Sequence, residues 1–274
     1  MCEDFDCKQP QQIDLKIDHI QRRNFIKGLS SLPLAVILAD PLLARAAAKK
    51  LQTVETVLQN SDTVYASMAL PRDKKPAPCL VLIHEWWGLN DQIKAVAHDY
   101  QEQGYMVLAV DLFNGKIATT REQALSNIKA LQYKTAEETM VKWVDYVRNH
   151  QACNGKVATI GWCFGGGWSL NTAIATPLEA AVVYYGNVMR KATDLRHIKG
   201  PILGHFGTLD KSIDQKMVGS FQKEAQLAGI SDKITIYWYE ANHAFANPTS
   251  SRFDSDEAKL SSKRTLAFIK KHLS

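Results

Sequence analysis

The chain lacks the residue patterns that usually mark metal sites and redox sites. None of its eight histidines forms a His-x-x-x-His pair, and none of its five cysteines forms a Cys-x-x-Cys pair. Zinc sites and dithiol sites need such pairs, because two side chains must face one ion or each other. The sequence therefore predicts no metal and no cofactor.

Phosphate-binding loops and basic stripes are missing as well. The run Gly165–Gly167 is not followed by the Lys-Ser or Lys-Thr pair of a phosphate loop. The formal net charge is only +5, and no stripe of interleaved basic and aromatic residues exists. Lysine pairs at Lys49-Lys50, Lys74-Lys75 and Lys270-Lys271 are interpreted as solvated surface, so the sequence predicts no nucleic-acid partner.

A long apolar run is also absent. The stretch from Gly28 to Ala39 is interrupted by Pro33 and is too short for a comfortable transmembrane helix. It follows Gln21-Arg22-Arg23-Asn24-Phe25-Ile26-Lys27, which is typical of a twin-arginine export signal, and precedes a small-residue cleavage site, Ala44-Arg45-Ala46. We predict a signal over residues 1–48 that is removed after Ala46 or Ala48, with an uncleaved anchor as the alternative.

This signal predicts a periplasmic protein that uses the twin-arginine export machinery. Residues 49–274 are then one domain of ordinary size, which we expect to be a monomer. Two opening strands precede alternating helices and buried strands, which indicates an α/β fold with a mostly parallel sheet and helices on both faces. The strands are predicted at Thr53–Leu58 and Thr63–Leu70, helices at Asn90–Gln103 and Ser255–Leu273, and a helical pair, a candidate lid, within Thr120–His150.

The most informative segment is Gly161-Trp162-Cys163-Phe164-Gly165-Gly166. It follows a buried strand, Lys156–Ile160, and precedes a helix, Trp168–Ala175, so Cys163 stands where a strand turns sharply into a helix. A nucleophile at such an elbow is held clear of the sheet, and the N-terminus of the next helix favours thiolate. Taken alone, Cys163 is almost equally well explained as a buried core residue.

An acid and a histidine follow Cys163 in the chain order of an α/β-hydrolase triad. Asp210 comes just after the predicted strand Pro201–Gly207, and His243 comes just after Ile234–Tyr239. Open α/β sheets place their active sites at this carboxyl edge. Separately, Asp210 fits a helix cap or a turn, and His243 fits an ordinary loop histidine. Together with Cys163 they predict a catalytic triad.

The chain resembles the dienelactone hydrolase family, a cysteine-nucleophile branch of the α/β-hydrolase fold. The similarity runs from about Ala77 to Phe245 and rests on the segments Leu82–Gly88, Gly104–Phe113, Gly161–Gly166, Tyr184–Gly186 and Trp238–Phe245. The resemblance implies the α/β-hydrolase fold and hydrolysis of carboxylic esters or lactones.

The resemblance also implies a role for each matching residue. Cys163 would be the nucleophile, His243 the general base and acid, and Asp210 the group that orients the imidazole. Glu85 would contact the resting thiol and move away when substrate binds, although without Cys163 nearby it would be an ordinary loop carboxylate.

Backbone amides and aromatic side chains complete the implied site. The amides of Trp86 and Phe164 would form the oxyanion hole. Further aromatic residues on loops or strand ends predict an apolar substrate pocket, although each could equally be packing at its rim. These residues are Trp87, Phe113, Tyr185 and Phe245.

Two positions depart from the family pattern. Members that act on carboxylated lactones hold the substrate carboxylate with two arginines, but the segments Asp111–Lys116 and His243–Asn247 contain none. Lys116 offers a point charge in place of a bidentate clamp. We therefore predict a small-molecule ester or lactone other than a carboxylated dienelactone. The alternative is a binding or thiol-redox protein on the same fold.

The remaining cysteines leave one question open. Cys2 and Cys7 would be lost with the signal, whereas Cys79 and Cys153 would lie on neighbouring strands. A disulfide between these two is conceivable in an oxidising compartment, and so is a small core residue at Cys79.

Overall fold

The computed structural model describes residues 37–38, 40–73 and 75–274, and these residues build an eight-stranded sheet. The strands are β1 Gln52–Val57, β2 Thr63–Ala69, β3 Ala77–Ile83, β4 Met106–Val110, β5 Cys153–Trp162, β6 Ala180–Tyr184, β7 Ile202–Gly207 and β8 Ile234–Tyr239. Their order in the sheet is β1-β2-β4-β3-β5-β6-β7-β8. The pairs β1–β2 and β2–β4 are antiparallel, and all later pairs are parallel.

Helices cover both faces of this sheet. They are α1 Pro41–Ala48, α2 Asp91–Glu102, α3 Arg121–Ala130, α4 Tyr133–Arg148, α5 Phe164–Ala175, α6 Ala192–Leu195, α7 Gln215–Leu227 and α8 Ser255–Leu273, with a 3₁₀ turn at Ser231–Lys233. One face packs against α4, α5 and α7, and the other packs against α1, α2 and α8. The predicted α/β-hydrolase architecture is confirmed.

The central strands are apolar on both sides because both faces are covered. In β3, Val81 and Ile83 belong to one core, whereas Leu80 and Leu82 belong to the other, and all four side chains have no exposed surface. The helix α4 belongs to one of these layers, since Met140 has no exposed surface either. The region Thr120–His150 was a candidate lid, but its helix α4 packs against the sheet as part of a helical layer.

Most predicted element bounds lie within a few residues of the observed ones. The helix α2 begins after Asn90, whose side-chain oxygen accepts a hydrogen bond from the Ile93 amide at 3.2 Å, as predicted for a cap. The final helix has the predicted bounds. The helix after the elbow was predicted to begin at Trp168. It begins earlier, at Phe164, and includes Gly165–Gly167.

The helix α1 lies inside the segment predicted to be an export signal. It packs against α2, and its residues Leu43, Ala44 and Ala47 are buried in the same core as α2. Cleavage after Ala46 or Ala48 would therefore remove a helix that covers the domain. The arginine motif at 21–27 lies outside the described residues. In the part of the chain that is described, no helix has both the length and the apolar character needed to cross a membrane.

Candidate active site

Cys163 occupies a strained turn between β5 and α5. Its backbone angles are φ 53° and ψ −115°, a conformation that residues other than glycine rarely adopt. Flanking glycines make this turn possible. A Cβ atom at Gly161 would collide with the Gly165 carbonyl, and one at Gly165 would collide with the Ile83 carbonyl. Strand and helix therefore approach closely and hold the thiol at the carboxyl edge of the sheet.

The structure brings the three predicted triad residues together. His243 Nε2 lies 3.1 Å from Cys163 Sγ, and His243 Nδ1 lies 2.7 Å from Asp210 Oδ2. The other carboxylate oxygen of Asp210 accepts hydrogen bonds from the amides of Ser212 and Ile213 at 2.8 and 3.0 Å. These contacts fix the acid, and the acid fixes the imidazole, which is the geometry of an activated nucleophile.

Charges within the triad oppose the effect of burial. Burial alone would lower the pKa of His243, but the Cys163 sulfur and the Asp210 carboxylate raise this pKa well above its ordinary value. Burial would raise the pKa of Asp210, but the hydrogen bond with His243 and the charge of His243 outweigh burial and lower this pKa below its ordinary value. The site therefore favours an ionised Asp210 and an imidazolium beside the sulfur.

Glu85 is buried beside the triad and is turned toward Asn247. The Asn247 side-chain amide donates to Glu85 Oε2 at 2.5 Å. Glu85 Oε1 and the buried Tyr185 hydroxyl have no partner with hydrogen-bond geometry, although the two groups interact electrostatically. Burial raises the pKa of Glu85, and the charge of His243 opposes that rise. Where a contact between Glu85 and the resting thiol was expected, the structure pairs Glu85 with Asn247 and the thiol with His243.

Asn247 is the polar residue of this site whose role the sequence did not reveal. It is buried, and its side-chain oxygen accepts hydrogen bonds from the Gln92 side chain at 2.6 Å and from the Thr249 amide at 2.9 Å. These donors orient the amide so that its nitrogen faces Glu85. The sequence showed only that the segment His243–Asn247 contains no arginine. It could not reveal the contact between Asn247 and Glu85, because residues 162 apart in sequence leave no local pattern.

The two residues predicted to supply the oxyanion hole lie on loops at neighbouring strands. Phe164 is the first residue of α5, so its amide has no acceptor within the helix. Trp86 lies in a turn closed by the hydrogen bond from the Gly88 amide to the Glu85 carbonyl at 3.2 Å, which leaves the Trp86 amide outside that bond. Because Ile83 of β3 is paired with Gly161 of β5, the segments that carry Trp86 and Phe164 leave the sheet at neighbouring positions of its edge.

A buried histidine holds the loop that carries Glu85 and Trp86. His84 Nδ1 lies 2.6 Å from the Glu85 carbonyl, and the Leu112 amide donates to His84 Nε2 at 3.2 Å. The Leu112 donor requires a lone pair on Nε2, so Nδ1 carries the proton and donates to the carbonyl. Burial lowers the pKa of His84, which keeps this ring neutral.

Aromatic rings surround the elbow on one side. Phe113 packs against both His84 and Phe164, with ring centroids 4.8 and 5.1 Å away. Trp86 and Trp87 are half-buried and meet edge to face at 5.0 Å. Of the predicted pocket residues, Trp87 therefore keeps an exposed surface, and Phe113 supports Phe164 from within the protein.

The two remaining predicted pocket residues lie behind His243. The Tyr185 ring lies 5.1 Å from the His243 ring and 5.4 Å from the Phe245 ring. Phe245 has no exposed surface and also packs on Tyr239 at 5.0 Å. Phe245, two residues after His243, points into the protein. It is thus a core residue that packs against Tyr185.

Neither a disulfide nor a metal-binding cluster forms in the described part of the chain. Cys79, Cys153 and Cys163 are all free thiols, so the conceivable Cys79–Cys153 disulfide is not formed in this structure. Among the described residues, no group of three or more histidines, cysteines or acids is arranged to hold a metal ion.

The chain is similar in sequence to known proteins of one family. A model of the dienelactone hydrolase family matches residues 64–273. A carboxymethylenebutenolidase from Pseudomonas putida is 28% identical over 207 residues, which cover 72% of this chain and 86% of that protein. Carboxymethylenebutenolidase 1 from Cupriavidus pinatubonensis is 24% identical over 203 residues, which cover 70% of this chain and 86% of that protein.

Solved structures share the fold. A dienelactone hydrolase-like promiscuous phosphotriesterase from metagenomic libraries superposes with a TM-score of 0.74 at 20% identity, covering 82% of this chain and 100% of that one. Esterase 2 from Thermogutta terrifontis superposes with a TM-score of 0.60 at 14% identity, covering 82% of this chain and 95% of that one.

Proposed function

Because the chain belongs to the dienelactone hydrolase family, we propose that it hydrolyses small esters or lactones with Cys163 as the nucleophile. The observation that carries this proposal is the unbroken line of contacts from Cys163 Sγ through His243 to Asp210, at 3.1 and 2.7 Å. The names of two relatives support an ester or lactone as the substrate, since both are carboxymethylenebutenolidases.

The mechanism has two proton transfers, and His243 makes both. The Cys163 thiolate attacks the carbonyl carbon, and the amides of Trp86 and Phe164 stabilise the negative charge on the carbonyl oxygen. The C–O bond then breaks, and the His243 imidazolium gives its proton to the leaving alkoxide. Neutral His243 next removes a proton from water, the resulting hydroxide attacks the thioester, and Cys163 leaves as thiolate.

The residues around the triad favour a substrate without a carboxylate. The segment in which the family's second arginine would stand, His243–Asn247, ends at Asn247, which is buried and already bound to Glu85. Lys116 is exposed and cannot supply a bidentate clamp. Glu85 adds an acidic group close to His243, which would repel a substrate carboxylate.

A matched set of substrates tests this preference. We expect a neutral aryl ester and a neutral lactone to give a higher kcat/KM than a lactone of the same ring that carries a carboxylate. The Cys163→Ala variant controls for background hydrolysis. A higher kcat/KM for the carboxylated lactone would contradict the substrate proposal while leaving the triad intact.

A thiol-redox role is disfavoured by the positions of the other thiols. Cys153 pairs with Ala77 and Gly161 pairs with Ile83, six residues along β3, so Cys153 lies roughly 20 Å from the elbow at about 3.3 Å per residue. Cys79 pairs with Val157 near the start of the same strand. Neither thiol can resolve a disulfide with Cys163, and hydrolysis is therefore the function that we propose.

The proposal includes export to the periplasm by the twin-arginine route. The motif Gln21–Lys27 supports export. Because α1 packs on the domain, the position of the cleavage site decides whether the mature protein keeps this helix. We expect periplasmic protein with an N-terminus at Ala47 or Lys49, and a variant with both Arg22 and Arg23 changed to Lys to stay in the cytoplasm. Periplasmic protein that keeps α1 would indicate an uncleaved anchor, and cytoplasmic wild-type protein would contradict export.

A further inference from the structure

The contacts of His243 leave no donor for the neighbouring carboxylate of Glu85. The imidazole has two nitrogens, of which Nδ1 faces Asp210 at 2.7 Å and Nε2 faces Cys163 Sγ at 3.1 Å. Burial raises the pKa of Glu85 and the charge of His243 opposes that rise, so the two groups lie within electrostatic range. A buried carboxylate needs hydrogen-bond donors. Glu85 must therefore find donors elsewhere or compete with the sulfur for Nε2.

Two neutral groups hold the Glu85 carboxylate instead. The Asn247 side-chain amide donates to Glu85 Oε2 at 2.5 Å, and the Tyr185 hydroxyl interacts with the carboxylate electrostatically. Glu85 Oε1 and this hydroxyl are both closed off from solvent. Burial and the charge of Glu85 raise the pKa of Tyr185 well above its ordinary value, so the phenol stays neutral. Glu85 is thereby held without help from His243.

Donors on two other segments decide which end of the Asn247 amide meets Glu85. Gln92, in the first turn of α2, donates to Asn247 Oδ1 at 2.6 Å. The Thr249 backbone amide and hydroxyl donate to the same oxygen at 2.9 and 2.8 Å. An Asn247 amide turned the other way would bring its oxygen against the carboxylate and its nitrogen against the Thr249 amide, which can only donate. The Asn247 nitrogen is therefore kept on Glu85.

We propose that Gln92 is a positioning residue that acts through Asn247. It keeps Glu85 away from the triad, so Cys163 is ready to react before any substrate binds. This inference rests on the role of Cys163 proposed above and concerns the state of the site that precedes substrate binding. Without the Gln92 donor, Asn247 is free to turn, and Glu85 competes with the sulfur for His243 Nε2. A carboxylate at that position favours the neutral thiol, which is a poorer nucleophile than thiolate.

The test is alkylation of Cys163 by iodoacetamide as a function of pH, in the full-length chain without substrate. Peptide mapping separates this thiol from the other four cysteines. Gln92→Leu keeps most of the bulk of the side chain and removes its donor. We expect alkylation at pH 6 to be about tenfold slower than in the wild type, with the pH profile of the rate displaced upward by about one unit. A purely structural role of Gln92 would lower the thermal midpoint and leave this profile in place.

Two further variants separate the proposed route from a general disturbance of α2. Gln103→Leu makes the same change at the other end of this helix, where the side-chain amide contacts Asp99, and should be alkylated like the wild type. Adding Glu85→Gln should make the loss of Gln92 harmless, since no carboxylate is left to compete for the imidazole. The double variant should therefore react within about twofold of Glu85→Gln alone.

A second variant covers the case in which Gln92→Leu does not fold. Thr249→Val removes the hydroxyl donor from the same Asn247 oxygen and should slow alkylation in the same direction by a smaller factor. Alkylation needs no turnover, so hydrolysis that persists in Cys163→Ala would contradict the proposed function without affecting this comparison. An unchanged pH profile in the donor variants, equal slowing in the Glu85→Gln background, or a wild-type Cys163 that resists iodoacetamide up to pH 9 would each overturn the proposal.

Discussion

His205 lies within β7 and His243 lies just beyond the neighbouring strand β8, yet the pKa values of the two histidines are shifted in opposite directions. His205 is completely buried in β7, with Nδ1 2.6 Å from the Tyr239 hydroxyl and Nε2 2.9 Å from the Thr265 hydroxyl. Burial, with a small contribution from Arg264, lowers the pKa of His205 to about 3. His243 faces a carboxylate and a sulfur, and its pKa is raised.

The difference shows that the charges of the partners, more than burial, decide what each histidine can do. Neutral hydroxyls around His205 give a ring that stays neutral and joins β7 to α8, where Thr265 also meets the Tyr184 hydroxyl at 2.7 Å. Charged partners around His243 give a ring that can hold a proton and pass it on. The first ring is structural and the second is suited to catalysis.

Removing the Cys163 sulfur should have the largest effect on activity. This sulfur contacts His243, whereas His205 contacts only hydroxyl groups. Cys163→Ala should lower kcat/KM for p-nitrophenyl acetate by about 10⁴-fold or more, as for other nucleophile deletions. The thermal midpoint should change little, because the elbow is held by its glycines. Turnover close to the wild-type value would remove Cys163 from the mechanism.

Making the surroundings of His243 neutral, like those of His205, should have the next largest effect. Asp210→Asn keeps the size of the side chain but removes the charge and favours the wrong tautomer of the imidazole, so kcat should fall by about 10³ to 10⁴-fold. Steady-state kinetics of the folded variant provide the measurement. A loss of less than tenfold would mean that Asp210 only caps the turn at Ser212 and Ile213.

The reverse experiment changes the structural histidine. His205→Phe leaves the hydroxyls of Tyr239 and Thr265 without their shared partner, and we expect a loss of about 2–4 kcal/mol in the free energy of unfolding. Activity of the folded fraction should be unchanged. The matched variant His243→Phe should abolish activity and cost less stability. If His205→Phe lost activity at full stability, the distinction between the two sites would be wrong.

A smaller effect should appear in the pH dependence of stability. His205 has a folded pKa of about 3 and an unfolded pKa of about 6.5, so the unfolded chain binds more protons between these values. Stability due to neutral His205 is present above pH 6.5 and is lost as the pH falls toward 3. The destabilisation by His205→Phe should thus be smaller at pH 4 than at pH 8, as urea titrations can measure. A constant difference would mean that the pKa of His205 is the same in the folded and the unfolded chain.

The sequence predicted those features that depend on local pattern and chain order. The strand–glycine–helix pattern located the Cys163 elbow, and the order of strand ends placed Asp210 and His243 at one edge. The same reasoning separates the two histidines, since His205 lies within a predicted strand and His243 lies beyond one.

Features that depend on distant partners could not be predicted in this way. The pairing of Glu85 with Asn247 joins two loops far apart in sequence, and the choice between Asn247 and the thiol is made by packing and hydrogen bonds that have no periodicity. The burial of Phe245 and the packing of α1 against α2 are likewise decided by tertiary contacts.

In the proposed mechanism, Cys163 carries the acyl group during turnover. Rapid-quench mass spectrometry of the enzyme after mixing with p-nitrophenyl acetate, followed by peptide mapping, tests this step directly. We expect a burst of p-nitrophenol and one acetyl group on Cys163, which disappears as water cleaves the thioester. Steady hydrolysis with no acetyl group on Cys163, or with the acetyl group on another side chain, would contradict it.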